Sequence, residues 1–102
     1  MNSKVSGMIG LCIKSRKVSM GTDIVKKAIR QKKAKLVLLS DAASDRTKKD
    51  VADICCHYQV DLICDDFSEI FYQLTSKDKM KVMSVNDEGF AKQIKNLASD
   101  AK

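Results

Sequence analysis

The chain has no proline and no tryptophan, one histidine, four glycines, and as aromatics only three Phe and two Tyr. Each scarcity excludes something. With no proline, no internal repeat and no low-complexity stretch, nothing marks a linker, and residues 1–102 read as a single domain with a modest core. No apolar run approaches the roughly 18–20 residues that span a bilayer. Met8 to Ile13 is a short apolar stretch without a small-residue cleavage pattern, and Lys14 follows it directly. No signal peptide is therefore expected, and the protein is placed in the cytoplasm. Cys12, Cys55, Cys56 and Cys64 include no C-x-x-C pair. Adjacent residues such as Cys55 and Cys56 point about 100° apart on a helix, which suits zinc poorly. In a reducing compartment the four thiols are expected to be small buried hydrophobes, with no metal and no cofactor. His57 has no triad or ligand partner at motif spacing and is expected to be structural or on the surface.

Catalytic signatures are missing too. There is no Walker loop, no dinucleotide fingerprint, no His-Glu-x-x-His and no nucleophile elbow. Asp41 stands just past an apolar run, where α/β proteins place reactive groups. A phosphoacceptor aspartate would need an acidic pair ending the first strand and a lysine at the end of the last; Lys17–Met20 has no acidic pair, and the last strand offers Ser84 but no lysine at that end. No catalytic residue is assigned and no enzyme is expected.

What the chain does have is concentrated charge. Residues 14–35 carry nine of the 19 Lys/Arg and one acid, Asp23, for a net of +8. The remainder carries ten bases and twelve acids, a net of −2. A cationic segment of this kind suits a polyanion, because each phosphate it neutralises releases a counterion. The aromatics Tyr58, Phe67, Phe71 and Phe90 fall on apolar stripes and are not spaced as a base-stacking platform.

Periodicity supplies the elements. Val5, Met8, Ile9 and Cys12 predict a first helix over 3–15, with Ser3 as its cap; Gly7 and Gly10 would let a neighbour approach closely. Lys17 to Met20 is a short strand, broken by Gly21. Thr22 is the expected cap of a basic helix whose apolar face is Ile24, Val25, Ala28 and Ile29. Asp23 suits the helix dipole there and can pair with Lys27. Leu36 to Leu39 reads as a central strand covered on both faces. A third helix, capped by Ser44 or Asp45, has its stripe at Thr47, Val51, Ile54, Cys55 and Tyr58. Strand Val60–Cys64 follows, then a helix opened by Asp65 and Asp66, with Phe67, Ile70, Phe71 and Leu74 at its 3–4 spacing. After a polar loop over 75–79 come strand Met80–Val85 and a helix capped by Asn86 or Asp87, using Phe90, Ile94 and Leu97 and fraying after about residue 98. Alternating strands and helices with short connections predict an α/β fold in three layers.

The run from Gly21 to Asp41, with Ala34-Lys35-Leu36 at its centre, resembles the signature of the kink-turn-binding ribosomal protein superfamily of the large subunit. Its small bacterial YlxQ-like branch is the nearest match. Gly10 to Lys17 and Asn86 to Lys92 extend the resemblance to about residues 6–97. It implies an α/β/α sandwich with a mixed four-stranded sheet. It also implies binding to structured RNA, a kink-turn or rRNA, bent sharply beside tandem sheared G·A pairs. In the family a Gly-x-Asn-Glu turn reads the guanines, a lysine one turn later supports it, and a loop before the last strand packs on an extruded base. Carried over, the glycine is Gly21, the lysine Lys27 and the loop roughly residues 74–80. The chain departs from that pattern by placing Asp23 at the Asn position and Ile24 at the Glu position. Asp41 keeps the acid after the second strand. An ionised Asp accepts hydrogen bonds and donates none, so Asp23 and Asp41 would accept from guanine N–H groups.

The expected RNA surface therefore runs over Lys17–Lys33. Gly21 and Thr22 offer backbone N–H groups; Lys26, Lys27, Arg30 and Lys33 contact phosphate; Lys77 and Lys79 touch the far side of the bend. The expected function is non-catalytic RNA binding by a monomer, ribosomal or ribosome-associated. The alternative is a protein-interaction module on the same fold that has lost specific RNA reading.

Overall fold

The computed structural model describes residues 3–77 and 79–100. In chain order the elements are α1 (Ser3–Lys14), β1 (Val18–Met20), α2 (Thr22–Arg30), β2 (Leu36–Ser40), α3 (Asp45–Tyr58), β3 (Asp61–Asp65), α4 (Ser68–Thr75), β4 (Val82–Val85) and α5 (Glu88–Asp100). The strands form one sheet in the order β1-β4-β2-β3. β4 runs antiparallel to both β1 and β2, while β2 and β3 are parallel, so the sheet is mixed.

Every residue of β2 and β4 is buried, as continuous apolar runs between helical layers require. Successive residues point to opposite faces. Leu36 and Leu38 join Met83 and Val85 on one side, packed by Val5, Ile9 and Cys12 of α1, Phe71 of α4 and Ala91 and Ile94 of α5. Val37, Leu39 and Val82 face the other side, under Val25, Ala28 and Ile29 of α2 and Val51 and Cys55 of α3. The result is the expected three-layer α/β/α sandwich. Phe67 and Phe71 are fully buried and stack at 5.4 Å; truncating such a ring to Ala costs about 3–5 kcal/mol. Gly10 lies beside Leu74, where an added Cβ would make ordinary contact at 3.5 Å.

Several boundaries shift. β3 begins at Asp61 and β4 at Val82, one and two residues later than the apolar runs suggest. α4 begins at Ser68 and α5 continues to Asp100. The Ser3 side chain, Asp78 in the polar loop and the tail 101–102 lie outside what is described. Cys12 and Cys55 are buried as expected, and burial pushes both thiols up to about 11. Cys56 and Cys64 are exposed instead: Cys56 lies next to the buried face of α3 and Cys64 sits on edge strand β3. His57 is exposed, with its ring edge-on to Tyr58 at 4.9 Å.

A candidate nucleic-acid interface at the exit rim of the sheet

The register sorts the loops into two rims. At one, the exit rim, β1, β2 and β3 end and β4 begins. Gly21 N–H donates to the Val82 carbonyl (3.0 Å), Ser40 N–H to Lys81 (2.8 Å) and Asp41 N–H to Asp65 (2.9 Å). These bonds tie the start of α2, the start of β4 and the ends of β2 and β3 into one ledge. Ser40 and Ser68 close it with an Oγ–Oγ bond of 2.6 Å.

The helices that leave this rim begin differently. Ser44 caps α3, its Oγ accepting from Thr47 N–H at 3.2 Å. Gly21 occupies the cap position of α2 and has no side chain to offer. The cap expected from Thr22 is therefore absent: Thr22 is already helical, and the turn belongs to glycine because φ is 96° and ψ 148° there, a region costly for any other residue. The first N–H groups of a helix have no intrahelical acceptor. Those of Thr22, Asp23 and Ile24 find none elsewhere among the described residues. They point out of the rim at the positive end of the helix, a geometry suited to phosphate or a base edge. Gly21 N–H, expected to be a donor to RNA, is spent on Val82.

Around this opening, Asp23, Ile24 and Lys27 are exposed on α2, Asp41 is exposed after β2, and Lys77 and Lys79 are exposed in the loop entering β4. Ile24 is 59% exposed and leaves the apolar face it was assigned to. Val25, Ala28 and Ile29 complete that face, and Ile24 stands about 100° round from Val25. Asp23 and Lys27 do not pair with each other. Lys26 turns the other way: half-buried, it sits 3.7 Å from Asp50 of α3. Arg30 lines the same α2–α3 groove. Lys17 and Lys33 are not at this rim at all but at the opposite one. Leu74 and Thr75 of the expected loop belong to α4.

One contributor escaped the sequence. Lys81, half-buried, holds the ledge through its carbonyl. Read between Met80 and Val82 it looked like the interior of a strand; the later start of β4 puts it at the rim.

Residues 3–92 match the model of the ribosomal protein L7Ae/L30e/S12e/Gadd45 family. The chain belongs to this family. Two relatives are each an RNA-binding protein YlxQ. That of Bacillus subtilis (strain 168) is 38% identical over 90 residues, which cover 88% of this chain and 90% of that protein. That of Enterococcus faecium is 37% identical over 95 residues, covering 92% and 90%. Among solved structures, a protein of unknown function from Bacillus halodurans C superposes with a TM-score of 0.89 at 28% identity, over 96% of this chain and 99% of that one. The Giardia lamblia 15.5kD RNA binding protein superposes at 0.78, over 98% and 92%. At 14% identity it speaks for the fold alone. Within the family fold, the exit rim is where Gly21 and Lys27, the positions that carried the resemblance, come together with the loop into β4.

Proposed function

We propose that the protein binds structured RNA through the exit rim, without catalysis and without a cofactor. The observation that carries this is the uncapped start of α2 behind Gly21, in a chain whose relatives are RNA-binding proteins by name. The N–H groups of Thr22, Asp23 and Ile24 meet phosphate or base edges. The Asp23 and Asp41 carboxylates accept from guanine N–H groups. Lys27, Lys77, Lys79 and Lys81 contact the backbone on either side. The RNA is a kink-turn or an rRNA element of that shape, bound by a monomer at or near the ribosome in the cytoplasm.

The test is a titration, at two salt concentrations, of a kink-turn RNA and of the same RNA with its sheared G·A pairs replaced by Watson–Crick pairs. Tight binding of the intact RNA alone supports the reading. Equal, weak and strongly salt-dependent binding of both leaves phosphate contact without shape reading, and no binding of either removes RNA as the partner. Ile24, an exposed aliphatic among charges, favours a second reading: a protein-interaction surface on the same rim. That reading predicts a partner that survives nuclease treatment.

A further inference from the structure

The basic segment 14–35 is continuous in sequence but not in space. Its middle forms β1 and the start of α2, and so reaches the exit rim. Its two ends fold back together at the other rim, where β1 and β2 begin and β4 ends. Lys14, Arg16 and Lys17 arrive there from the end of α1, and Lys32, Lys33 and Lys35 from the end of α2. These six exposed residues are most of the segment's bases, and none pairs with an acid among the described residues. The loops carrying them are held. Asn86 N–H donates to the Lys17 carbonyl (2.7 Å), and Lys35 N–H donates to Val85 (2.8 Å). The Asn86 side chain ties β1 in further, its Nδ2 donating to Ser19 Oγ and its Oδ1 accepting from Ser84 Oγ, both at 2.9 Å. Lys17 and Lys35 thus stand on either side of the end of β4, two strand spacings or about 9–10 Å apart. At the exit rim, by contrast, Asp23, Asp41, Asp65 and Asp66 are interspersed with the lysines. The excess charge of the segment lies away from the open amides.

We propose that this entry rim is a second RNA contact, which seats the phosphate backbone of a double-stranded arm while the exit rim reads the bent or unpaired element. The inference rests on RNA being the partner. The two surfaces are separated by the length of β2, about 17 Å for five residues. Helical RNA presents phosphates and sugars more readily than base edges, so a rim of exposed cations on a secured backbone suits a duplex better than a loop. Three acids stand near: Asp87 is occupied as the cap of α5, accepting from Phe90 N–H at 2.9 Å, Asp61 pairs with Lys95 at 2.6 Å, and Glu88 is exposed in the first turn of α5.

The experiment compares two variants on two probes. The entry-rim variant carries Lys17→Glu, Lys33→Glu and Lys35→Glu; the exit-rim variant carries Lys27→Ala and Lys79→Ala. All five positions are exposed. A neutral entry-rim set, each lysine changed to Gln, guards against a folding defect, and thermal melts confirm that every variant is folded. The probes are a plain RNA duplex and a kink-turn stem too short to reach both rims. The entry-rim variant should lose at least tenfold in duplex affinity and most of its salt dependence, the Gln set should lose less, and both should bind the short stem within twofold of the parent. The exit-rim variant should show the reverse pattern. Equal loss of both probes in either variant would mean one continuous surface and overturn the proposal. So would a duplex affinity untouched by charge reversal with only the melting temperature lowered, since the six bases would then merely complement the C-termini of α1 and α2. If the parent ignores the kink-turn stem but the duplex pattern holds, the exit-rim reading fails and the entry rim stands.

Discussion

The two rims of the sheet separate features that one basic segment joins in sequence. At the exit rim the chain leaves backbone donors open and mixes charges of both signs around them. At the entry rim it secures the backbone and gathers exposed cations. Open amides in a fixed orientation can tell one edge or oxygen from another, whereas a field of lysines attracts any phosphate and fades with salt. The difference teaches that open backbone donors and a concentration of cations need not share a surface, even in a fold this small.

The largest expected effect comes from breaking the exit rim at Gly21. An added Cβ meets nothing within 4 Å, so the strain is in the backbone, at a φ of 96°. Gly21→Ala should destabilise the fold by about 1–3 kcal/mol, read in urea or thermal unfolding. It should also lower kink-turn affinity more than tenfold while duplex binding persists. Next comes the contrast of two neighbours. Lys27→Ala should weaken RNA binding several-fold and reduce the salt slope by about 1. Lys26→Ala, whose side chain already faces Asp50, should change both less. Filter binding across a salt series decides between them.

Ser44→Ala removes the α3 cap at the same rim. It should cost about 1 kcal/mol of stability and leave RNA affinity unchanged; a large loss of RNA binding would show that the contrast between capped and uncapped helices has no bearing on function. The smallest effect concerns the body between the rims. The Cys12 and Cys55 thiols sit near 11, against an ordinary value of 9.0, chiefly because burial disfavours the thiolate. Their contribution to stability is complete below pH 9 and is lost as pH rises toward 11, because the unfolded chain gives up those protons first. Cys55→Ala should flatten part of that alkaline decline. Brief alkylation at neutral pH should label Cys56 and Cys64 alone, as mass spectrometry would show.

Much of this architecture could be read before the fold was seen. The run Leu36–Leu39 gave β2, the Val25, Ala28, Ile29 spacing gave the buried face of α2, and Ser44 and Asp87 cap as their residue types suggest. The site was legible only in part, for three physical reasons. A glycine cap is decided by backbone torsion rather than by a side chain, so Thr22 drew the assignment. α2 is nine residues long and needs only a narrow apolar face, so nothing forces Ile24 inward. The meeting of residues 14–17 with 32–35 depends on register across β4, and local pattern carries no record of it.

The proposed seat of RNA at the open start of α2 can be tested directly. The direct measurement is an amide-resolved NMR titration with the intact kink-turn RNA. The Thr22, Asp23 and Ile24 amides should shift strongly downfield and become protected from exchange, while the Thr47 amide, already held by Ser44, should stay in place. Saturable RNA binding with those three amides unmoved would contradict it.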